Sequence, residues 1–420
     1  MSMSPPDALN YERFQQLQMR LDMSRGKPAP EQLDLSRALL DDAAAAGFRA
    51  RDGFDCRNYG LLLGLPEARE LGGELLGVPP AQVVAAGNSS LELMHDALAF
   101  ALLHGVPQGE SGERSAPWRA QGDIAFLCPA PGYDRHFAIC EALGVRMIAV
   151  PMRADGPDMD VVEALVREDA SIKGMWCMPL YSNPTGAIYA DDVVRRLASM
   201  PAAAPDFRLF WDDAYRFHHL TDTAHATLDV IAASAAAGQA DRVLMFASLS
   251  KVTIAGGALA WFAASPRNVA WWQRCTSVRT IGPDKLNQLR HVRYVRDRAT
   301  LDALMARHRA LLAPKFAAVD EVFRRRLGQA SGVRWNEPEG GYFISLYGPD
   351  GTARRTVELA GEAGLVLTPA GAAFPYGVDP LDSHLRIAPS FPSLDEVRLA
   401  AEGIAVSLLR VLETDQALAT

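Results

Sequence analysis

The sequence predicts an α/β protein with a doubly wound, mostly parallel sheet in a large domain, together with a smaller α+β domain. Short apolar segments alternate with helical patterns, which is typical of βαβ units; they lie at residues 124–128, 146–150, 174–178, 208–211 and 242–247. After a long helical segment at residues 300–329 come the strand-like sequences GGYFISLYG, GLVLTPA and HLRIAPS, followed by a terminal helix at residues 394–412. This change of pattern predicts the second domain.

A chain of 420 residues is longer than one domain usually is. We expect residues 1–50 to form an N-terminal arm and part of the small domain, residues 51–310 the large domain, and residues 311–420 the C-terminal small domain. An amphipathic pattern at residues 11–23 predicts a helix in the arm, and the alanine run at residues 43–46 predicts a short helix or loop.

Composition excludes several classes of protein. Hydrophobic residues make up 49% and charged residues 22%, which favours a globular chain with a large core, and the net charge of −8 argues against nucleic acid or an anionic membrane surface as partner. The basic stretch at residues 290–298 is interpreted as a solvated helix face. Five cysteines without a C-x-x-C spacing, no signal peptide and no long apolar segment favour a cytoplasmic protein.

A lysine follows one of the predicted strands. Residues 242–247 are followed by Ser248, Leu249, Ser250 and Lys251, with Gly256-Gly257 shortly after. Ligands of such sheets bind at the carboxyl ends of the strands, where a lysine is suited to form a Schiff base with a cofactor aldehyde. A lysine at a strand end is by itself a weak signal, because it can equally be structural.

Companion residues follow the neighbouring strands. Asp212 and Tyr215 come after residues 208–211, and Asn183 comes after residues 174–178. A pyridine-ring cofactor needs a carboxylate at its ring nitrogen and polar groups near its phenolic oxygen. The alternatives are a helix cap at Asp212 and a turn at Asn183.

A metal site is the other alternative for this region. Carboxylates and imidazoles that could bind a metal are present at Asp212, Asp213, His218 and His219. This interpretation leaves Lys251 and Asn183 without a role, so we expect no metal.

An anion site is predicted where a strand runs into a helix. Asn88, Ser89 and Ser90 directly precede the apolar helical pattern at residues 91–103, where backbone N–H groups and the helix dipole favour a phosphate. The hydroxyl of Ser248 is a further candidate contact. Tyr133, after residues 124–128, is placed to stack on the cofactor, unless it is a core residue.

Arg386 is a charge within the otherwise apolar pattern HLRIA. Burying a guanidinium is costly unless it is paired, and its fork geometry suits a substrate carboxylate. A structural salt bridge is the alternative.

Taken together and in this order, the motifs resemble the fold-type-I aminotransferases, which depend on pyridoxal 5′-phosphate, over about residues 24–390. More narrowly they are similar to the subgroup Ic aspartate aminotransferases, and to the aminotransferase-like domain of certain bacterial regulators. The segments that carry this likeness are SRGKP (24–28), NYGLLLGLPEAR (58–69), GNSSLELM (87–94), SNPTG (182–186) and GPDKLNQLRH (282–291).

The resemblance implies a role for each of these residues. Lys251 matches the Schiff-base lysine, Asp212 the partner of the pyridinium nitrogen, and Tyr133 the stacking aromatic ring. The remaining matches are Asn183 and Tyr215 at the phenolic oxygen, Asn88, Ser89, Ser90 and Ser248 at the phosphate, Gly26, Asn183 and Arg386 at the substrate carboxylate, and Tyr59 at the phosphate of a neighbouring subunit. The last of these implies a homodimer with shared sites. Leu259 stands where the family commonly has a phosphate-binding arginine.

The implied reaction is a ping-pong transamination between an amino acid and a 2-oxo acid, with Lys251, Asp212 and Tyr215 as catalytic residues. We expect aspartate and 2-oxoglutarate as substrates and Lys285 as the partner of the distal carboxylate, unless Lys285 is a solvated or interface lysine paired with Asp284. Other amino donors, aromatic ones included, and decarboxylase, lyase or synthase chemistry on the same fold are alternatives. An effector-sensing domain would need a DNA-binding module, for which about 25 residues before Gly26 leave too little room.

Overall fold

The structure is a computed structural model that describes residues 9–41, 47–108 and 113–419, with backbone only for residues 415–419. The alanine run at residues 43–46 lies outside the described residues. The α-helices are α1 (Tyr11–Gln16), α2 (Pro30–Asp34), α3 (Pro66–Leu76), α4 (Ser90–His104), α5 (Asp134–Ala142), α6 (Met159–Glu168), α7 (Asp191–Ser199), α8 (Val230–Ala236), α9 (Pro266–Thr276), α10 (Lys285–Val295), α11 (Arg298–Leu327), α12 (Ala353–Glu362) and α13 (Leu394–Ala419). The strands are β1 (Leu21–Asp22), β2 (Val83–Ala85), β3 (Ala125–Ala130), β4 (Arg146–Arg153), β5 (Gly156–Pro157), β6 (Ile172–Cys177), β7 (Arg208–Asp212), β8 (Val243–Ser248), β9 (Ala260–Ala264), β10 (Arg334–Trp335), β11 (Ile344–Tyr347), β12 (Leu365–Val366) and β13 (His384–Ile387).

The large sheet has eight strands in the order β2-β9-β8-β7-β6-β3-β4-β5. Its centre, from β8 to β4, is parallel, whereas β9 runs antiparallel to both β8 and β2, and β5 runs antiparallel to β4. The predicted doubly wound, mostly parallel α/β fold is confirmed. The sequence analysis did not anticipate β9, because its alanine-rich AWFAA pattern lacks the β-branched residues by which a strand is recognised.

The central strands are buried on both faces. Every residue of β3, β6, β7 and β8 is buried, as expected of a parallel sheet covered by helices on each side. One core cluster, whose residues lie between Ala50 and Met305 in the sequence, covers one face of the sheet. A separate, aromatic cluster around Phe126 and Trp176 covers the other face. The sheet is therefore a rigid platform whose carboxyl edge is fixed by packing from both sides.

The C-terminal part forms a second core around a three-stranded antiparallel sheet, β10-β11-β13. The N-terminal arm packs into this core: Phe14 is fully buried, and a Cβ added at Gly403 of α13 would meet its ring. Strand β1 pairs in parallel with β12. This separation of two cores supports domain boundaries near residues 50 and 310, which stay a prediction.

Two local predictions from the sequence were wrong. The helix expected at residues 11–23 ends at Gln16, because Gln18 has a positive φ of 47° and the backbone of residues 21–23 bonds to β12 instead. The basic stretch at residues 290–298 is not one helix face: α10 ends at Val295, and Arg296, with a φ of 58°, separates it from α11.

The long helices α11 and α13 pack into the second core. Within residues 9–41, 47–108 and 113–419, no helix combines the length and apolar character needed to cross a membrane. The five cysteines are buried and free.

Candidate active site

The residues singled out from the sequence meet at the carboxyl edge of the large sheet. Because β3, β6, β7 and β8 run parallel, their carboxyl ends open on the same side. The loops that leave these strands carry Tyr133 after β3, Asn183 after β6, Asp212 at the end of β7 and Lys251 after β8. The topology therefore brings together residues that lie up to 118 positions apart in the sequence.

Asp212 is a buried carboxylate with only one oxygen satisfied. Its side chain is 1% exposed, and its Oδ2 lies 3.0 Å from Nε2 of His136. Its other oxygen, Oδ1, is buried without a hydrogen-bond partner in the described part of the chain. Burying a carboxylate oxygen without a hydrogen bond costs free energy. This atom is therefore suited to accept a hydrogen bond from a donor on a bound molecule.

His136 was missed by the sequence analysis. Its ring stacks on Trp176 with ring centroids 4.4 Å apart. The rings of His136 and Tyr133 form a T-shaped pair with centroids 5.0 Å apart. The available signal was spacing: His136 follows Tyr133 by three residues at the start of α5, which places both on one face of the turn. The stacked ring fixes the orientation of Asp212.

The Lys251 ammonium lies in an apolar and aromatic environment. Its Nζ is 4.8 Å from the centroid of the Tyr215 ring, and burial lowers the pKa of Lys251, while the Asp212 carboxylate partly opposes this. Burial also raises the pKa of Tyr215 well above its usual value. A lowered lysine pKa increases the fraction of neutral amine, which is the nucleophilic form.

The backbone of Lys251 is fixed by side chains from distant elements. Its carbonyl oxygen lies 3.3 Å from His218 Nε2 and accepts a hydrogen bond from the Tyr342 hydroxyl at 3.3 Å. The next carbonyl, that of Val252, lies 2.9 Å from Nε2 of His308. We name these two carbonyls and the side chains that bond to them the carbonyl clamp. Of the side chains in the carbonyl clamp, the sequence singles out only His218, as a candidate metal ligand.

Gln32 of α2 closes the carbonyl clamp. Its side-chain amide donates to the Tyr342 hydroxyl at 3.0 Å and lies 3.1 Å from Nδ1 of His308. His308 therefore donates from Nε2 to the Val252 carbonyl and accepts at Nδ1, which is the bonding pattern of a neutral imidazole. Burial lowers the pKa of His308 to about 4 and that of His218 to about 3.

The predicted anion site lies between the start of α4 and the loop after β8. Ser89 caps α4 by accepting a hydrogen bond from the Leu91 amide at 3.2 Å, and Ser90 is the first helical residue. The Ser250 hydroxyl donates to the Asn88 carbonyl at 3.0 Å and lies 2.9 Å from the Ser248 hydroxyl. The two segments thus form one cradle of hydroxyl groups at a helix N-terminus. Leu259 is fully buried in the core and takes no part.

Arg386 reaches from the small sheet to the edge of the large one. Its side chain is 8% exposed, and its Nη1 lies 2.6 Å from Oδ1 of Asp134 and 3.5 Å from Oδ1 of Asn183. Its Nε is 3.4 Å from the Thr368 hydroxyl, which donates to the carbonyl of Ser24 at 2.8 Å.

Gly26 lies in the same neighbourhood. A Cβ at this position would be 2.4 Å from the Phe343 ring, whose face lies 5.1 Å from the Arg386 guanidinium. Glycine therefore allows the SRGKP segment to pass close to the Phe343 ring, which in turn faces Arg386.

Lys285 lies against the loop that carries Tyr59, and a hydrogen bond connects it to that loop. The Lys285 ammonium donates to the Gly60 carbonyl at 3.0 Å, its side chain is only 4% exposed, and burial lowers its pKa. It is thus neither solvated nor ion-paired with Asp284, whose carboxylate caps α10 through the Asn287 amide. Tyr59 next to it is 76% exposed.

The side chains of the metal alternative have separate partners. Asp212 faces His136, Asp213 pairs with Arg216, and His219 lies within hydrogen-bond distance of Tyr181. Among the residues with described positions, no group of three or more His, Cys, Asp or Glu is arranged to hold a metal ion.

Comparison with known proteins agrees with this architecture. An aspartate aminotransferase of Corynebacterium glutamicum is 44% identical over 399 residues, which cover 95% of this chain and 91% of the relative. A chain of Mycolicibacterium smegmatis, assigned by its name to the aminotransferases without a stated substrate, is 52% identical over 403 residues, or 95% of this chain and 93% of its own. The crystal structure of an aspartate transaminase from C. glutamicum superimposes with a TM-score of 0.92 at 43% identity, covering 96% of this chain and 94% of that one.

The architecture is therefore that of the fold-type-I aminotransferases, and the chain is an enzyme of this class. More narrowly, it belongs to the aspartate aminotransferase family, whose model, described as aspartate amino-transferase, matches residues 6–418.

The carbonyl clamp generates a prediction about acid stability. Because the folded protein holds His308 neutral down to about pH 4 while the unfolded chain protonates near pH 6.5, the contribution of His308 is fully present above pH 6.5 and is lost as the pH falls towards 4. Replacing it by glutamine, which retains a donor and an acceptor, should lessen the fall in unfolding free energy between pH 7 and pH 5 by about 2 kcal/mol. Urea unfolding at the two pH values measures this difference.

The exposed His104 at the end of α4 provides the control. His104→Gln should leave the pH dependence of the unfolding free energy as in the wild type. An unchanged pH dependence in His308→Gln would contradict the neutral state assigned to His308.

Proposed function

We propose that the chain is a pyridoxal-phosphate-dependent aspartate aminotransferase in which Lys251 carries the cofactor. The observation that carries this proposal is the Asp212 carboxylate, which is buried, held at one oxygen by His136 and, among the described residues, without a partner at the other. A protonated pyridine nitrogen is the donor that such an oxygen would accept. Aminotransferases of this fold use pyridoxal phosphate, so the family supplies the corresponding ligand.

The residues at the sheet edge fit that cofactor. Asp212 would hold the ring nitrogen, Tyr133 would stack on the ring, and Asn183 and Tyr215 would contact the phenolic oxygen. The phosphate would lie in the cradle formed by Asn88, Ser89, Ser90 and Ser248, where helix N–H groups and hydroxyls replace the guanidinium missing at Leu259. Bound there, the cofactor supplies an electrophilic carbon for the amino group and an electron sink for the charge that develops at Cα.

The protein groups then have distinct tasks. The Lys251 amine, whose pKa is lowered by burial, moves the proton that leaves the substrate Cα. The carbonyl clamp holds the backbone of Lys251, so that the amine returns to one position in each half-reaction. Arg386, together with the Gly26 and Asn183 segments, orients the substrate through its α-carboxylate.

For the substrate pair we propose aspartate and 2-oxoglutarate. The names of two C. glutamicum relatives, aspartate aminotransferase and aspartate transaminase, support this choice. We further propose that Lys285 binds the distal carboxylate of a substrate in the neighbouring subunit. It lies directly behind the exposed Tyr59 loop, and a buried lysine with one close carbonyl partner retains donors for a ligand.

The same loop supports a homodimer with shared sites. Tyr59 is exposed beside the segment that precedes α10, where Ile281 is 64% exposed and Gly282 packs against Gly60. Exposed aromatic and aliphatic side chains in neighbouring loops are typical of an interface. In the proposed dimer, Tyr59 reaches the phosphate held by the partner subunit.

The central test replaces Lys251. Lys251→Ala should lose cofactor attachment that borohydride can fix and should lower turnover at least about a thousandfold, because the variant lacks the amine that forms the bond and moves the proton. Lys251→Arg retains the positive charge without a primary amine and should be equally inactive. Transamination at the normal rate in either variant would disprove the proposed role.

Replacing Lys285 tests the substrate assignment. A desolvated carboxylate–cation contact is worth roughly 1.5–3 kcal/mol, so Lys285→Ala should lower kcat/KM for aspartate by about ten- to a hundredfold and leave alanine nearly unaffected. Lys285→Arg, which retains the charge, should retain part of the preference. Equal losses for both donors would mean that Lys285 only supports the Tyr59 loop through Gly60, and a wild-type preference for aromatic donors would exclude aspartate.

The dimer proposal is tested at Ile281. Ile281→Arg places a charge in the proposed interface, so it should shift sedimentation towards the monomer and lower activity in parallel, with activity recovering at high protein concentration. Val378, 62% exposed in the segment between β12 and β13, provides the matched control, and Val378→Arg should change neither property. Full activity at concentrations where only monomer sediments would rule out shared sites.

A further inference from the structure

Arg386 forms an ion pair with Asp134. The sequence left a structural salt bridge open as an alternative for Arg386 but did not indicate this partner. Asp134 is the residue directly after Tyr133 and the first residue of α5, whereas Arg386 lies in β13 of the other core. Their atoms Oδ1 and Nη1 are 2.6 Å apart, and the Arg386 side chain is 8% exposed while that of Asp134 is 30% exposed. This is a short, charge-assisted hydrogen bond with one partner partly open to solvent.

The pair leaves Arg386 with no complete fork for a second carboxylate. Bidentate recognition uses two adjacent guanidinium nitrogens, either Nη1 with Nη2 or Nε with Nη2. Nη1 is taken by Asp134 and also lies 3.5 Å from the Asn183 amide oxygen, and Nε is bonded to the Thr368 hydroxyl. Each fork therefore has one nitrogen already occupied.

We propose that Asp134 is a place-holding carboxylate, which the substrate α-carboxylate displaces from Arg386 when it binds. This inference rests on the proposed function, in which Arg386 is the α-carboxylate site. Two carboxylates on the same guanidinium nitrogen repel each other at close range, and the half-buried surroundings screen that repulsion less than water does. Asp134 is thus a positioning and specificity residue: it keeps Arg386 paired in the free enzyme and is exchanged for a ligand that carries its own carboxylate.

The structure provides a place for the displaced side chain. Asp134 occupies the first turn of α5, a helix of nine residues whose N-cap residue, Tyr133, makes no capping hydrogen bond through its side chain. A carboxylate in the first turn is stabilised by the free N–H groups and the positive end of the helix dipole. Because the Asp134 side chain is partly exposed, its displacement costs less than breaking a fully buried pair.

The exchange has a consequence for selectivity. A ligand without a carboxylate cannot replace the charge that Asp134 provides, so the pair excludes such ligands from Arg386. A ligand with a carboxylate binds with the affinity that Arg386 offers, reduced by the free energy of displacing Asp134. Removing the charge of Asp134 should therefore tighten carboxylate binding rather than weaken it.

The experiment measures binding of succinate and propionate, which carry carboxylates but no amino group, to the holoenzyme by titration calorimetry. Asp134→Asn and Asp134→Ser should each bind both probes about tenfold more tightly than the wild type, whereas Asp134→Glu, which retains the charge, should bind them more weakly than the asparagine variant. In steady-state kinetics, KM for the amino donor should fall in Asp134→Asn with a smaller change in kcat. Asp191, an exposed first-turn residue of α7, provides the control, and Asp191→Asn should bind both probes as the wild type does.

The outcomes separate this inference from the proposed function. Unchanged or weaker binding in both Asp134→Asn and Asp134→Ser would overturn the place-holding role, because it would mean that Asp134 only supports Arg386. Arg386→Leu tests whether Arg386 is the carboxylate site. If removing the guanidinium leaves succinate binding unchanged, Arg386 is not that site and the proposed function fails at that point. Weaker binding in Arg386→Leu combined with tighter binding in Asp134→Asn supports both.

Discussion

Burial of the Asp212 carboxylate is the constraint around which this site is organised. Removing an ionised carboxylate from water costs several kcal/mol unless hydrogen bonds or opposite charges compensate. The protein supplies one such partner, His136, and fixes its ring against Trp176, but no described residue bonds to Oδ1. The sheet around Asp212 is packed on both faces, which holds the side chain at the edge of the sheet. In the proposed function, this oxygen is the position that the bound cofactor occupies with a donor.

The second core is connected to this position through the carbonyl clamp. Gln32 lies in α2 of the N-terminal arm, and His308 lies in the long helix α11. Tyr342 lies just before β11. All three bond, directly or through one another, to the backbone that carries Lys251. The position of Lys251 therefore depends on elements outside the large sheet. The buried, neutral histidines help to hold it, although they lower the stability of the fold at low pH.

Arg386 makes a comparable connection on the substrate side. It belongs to the three-stranded sheet, yet its guanidinium bonds to Asp134 and Asn183 from loops of the large sheet. In the proposed function, substrate recognition takes place where the two cores meet, so that a relative movement of the cores would change the geometry at Arg386. The ion pair of Arg386 with Asp134 connects the two cores at this junction.

The sequence by itself determined the alternation of strands and helices, the doubly wound sheet and the order of the motifs at the strand ends. These features are local: apolar periodicity defines a strand, and the residue that follows a parallel strand has to lie at the carboxyl edge. That is why the sequence alone indicates Lys251, Asp212 and Asn183. Their roles stay predictions that experiment has to test.

Only the tertiary structure decided which side chains touch each other. The partners of Arg386 lie up to 252 residues away, and nothing in the HLRIA pattern distinguishes a free guanidinium from one paired with Asp134. Lys285 is likewise buried against Gly60, although its sequence context left a solvated or interface lysine paired with Asp284 open as an alternative. The arm helix ended early because β12, about 345 residues further on, offers backbone hydrogen bonds to residues 21–23. Sequence periodicity reports which face of an element is buried, whereas the direction of each side chain depends on packing between elements that are distant in the chain.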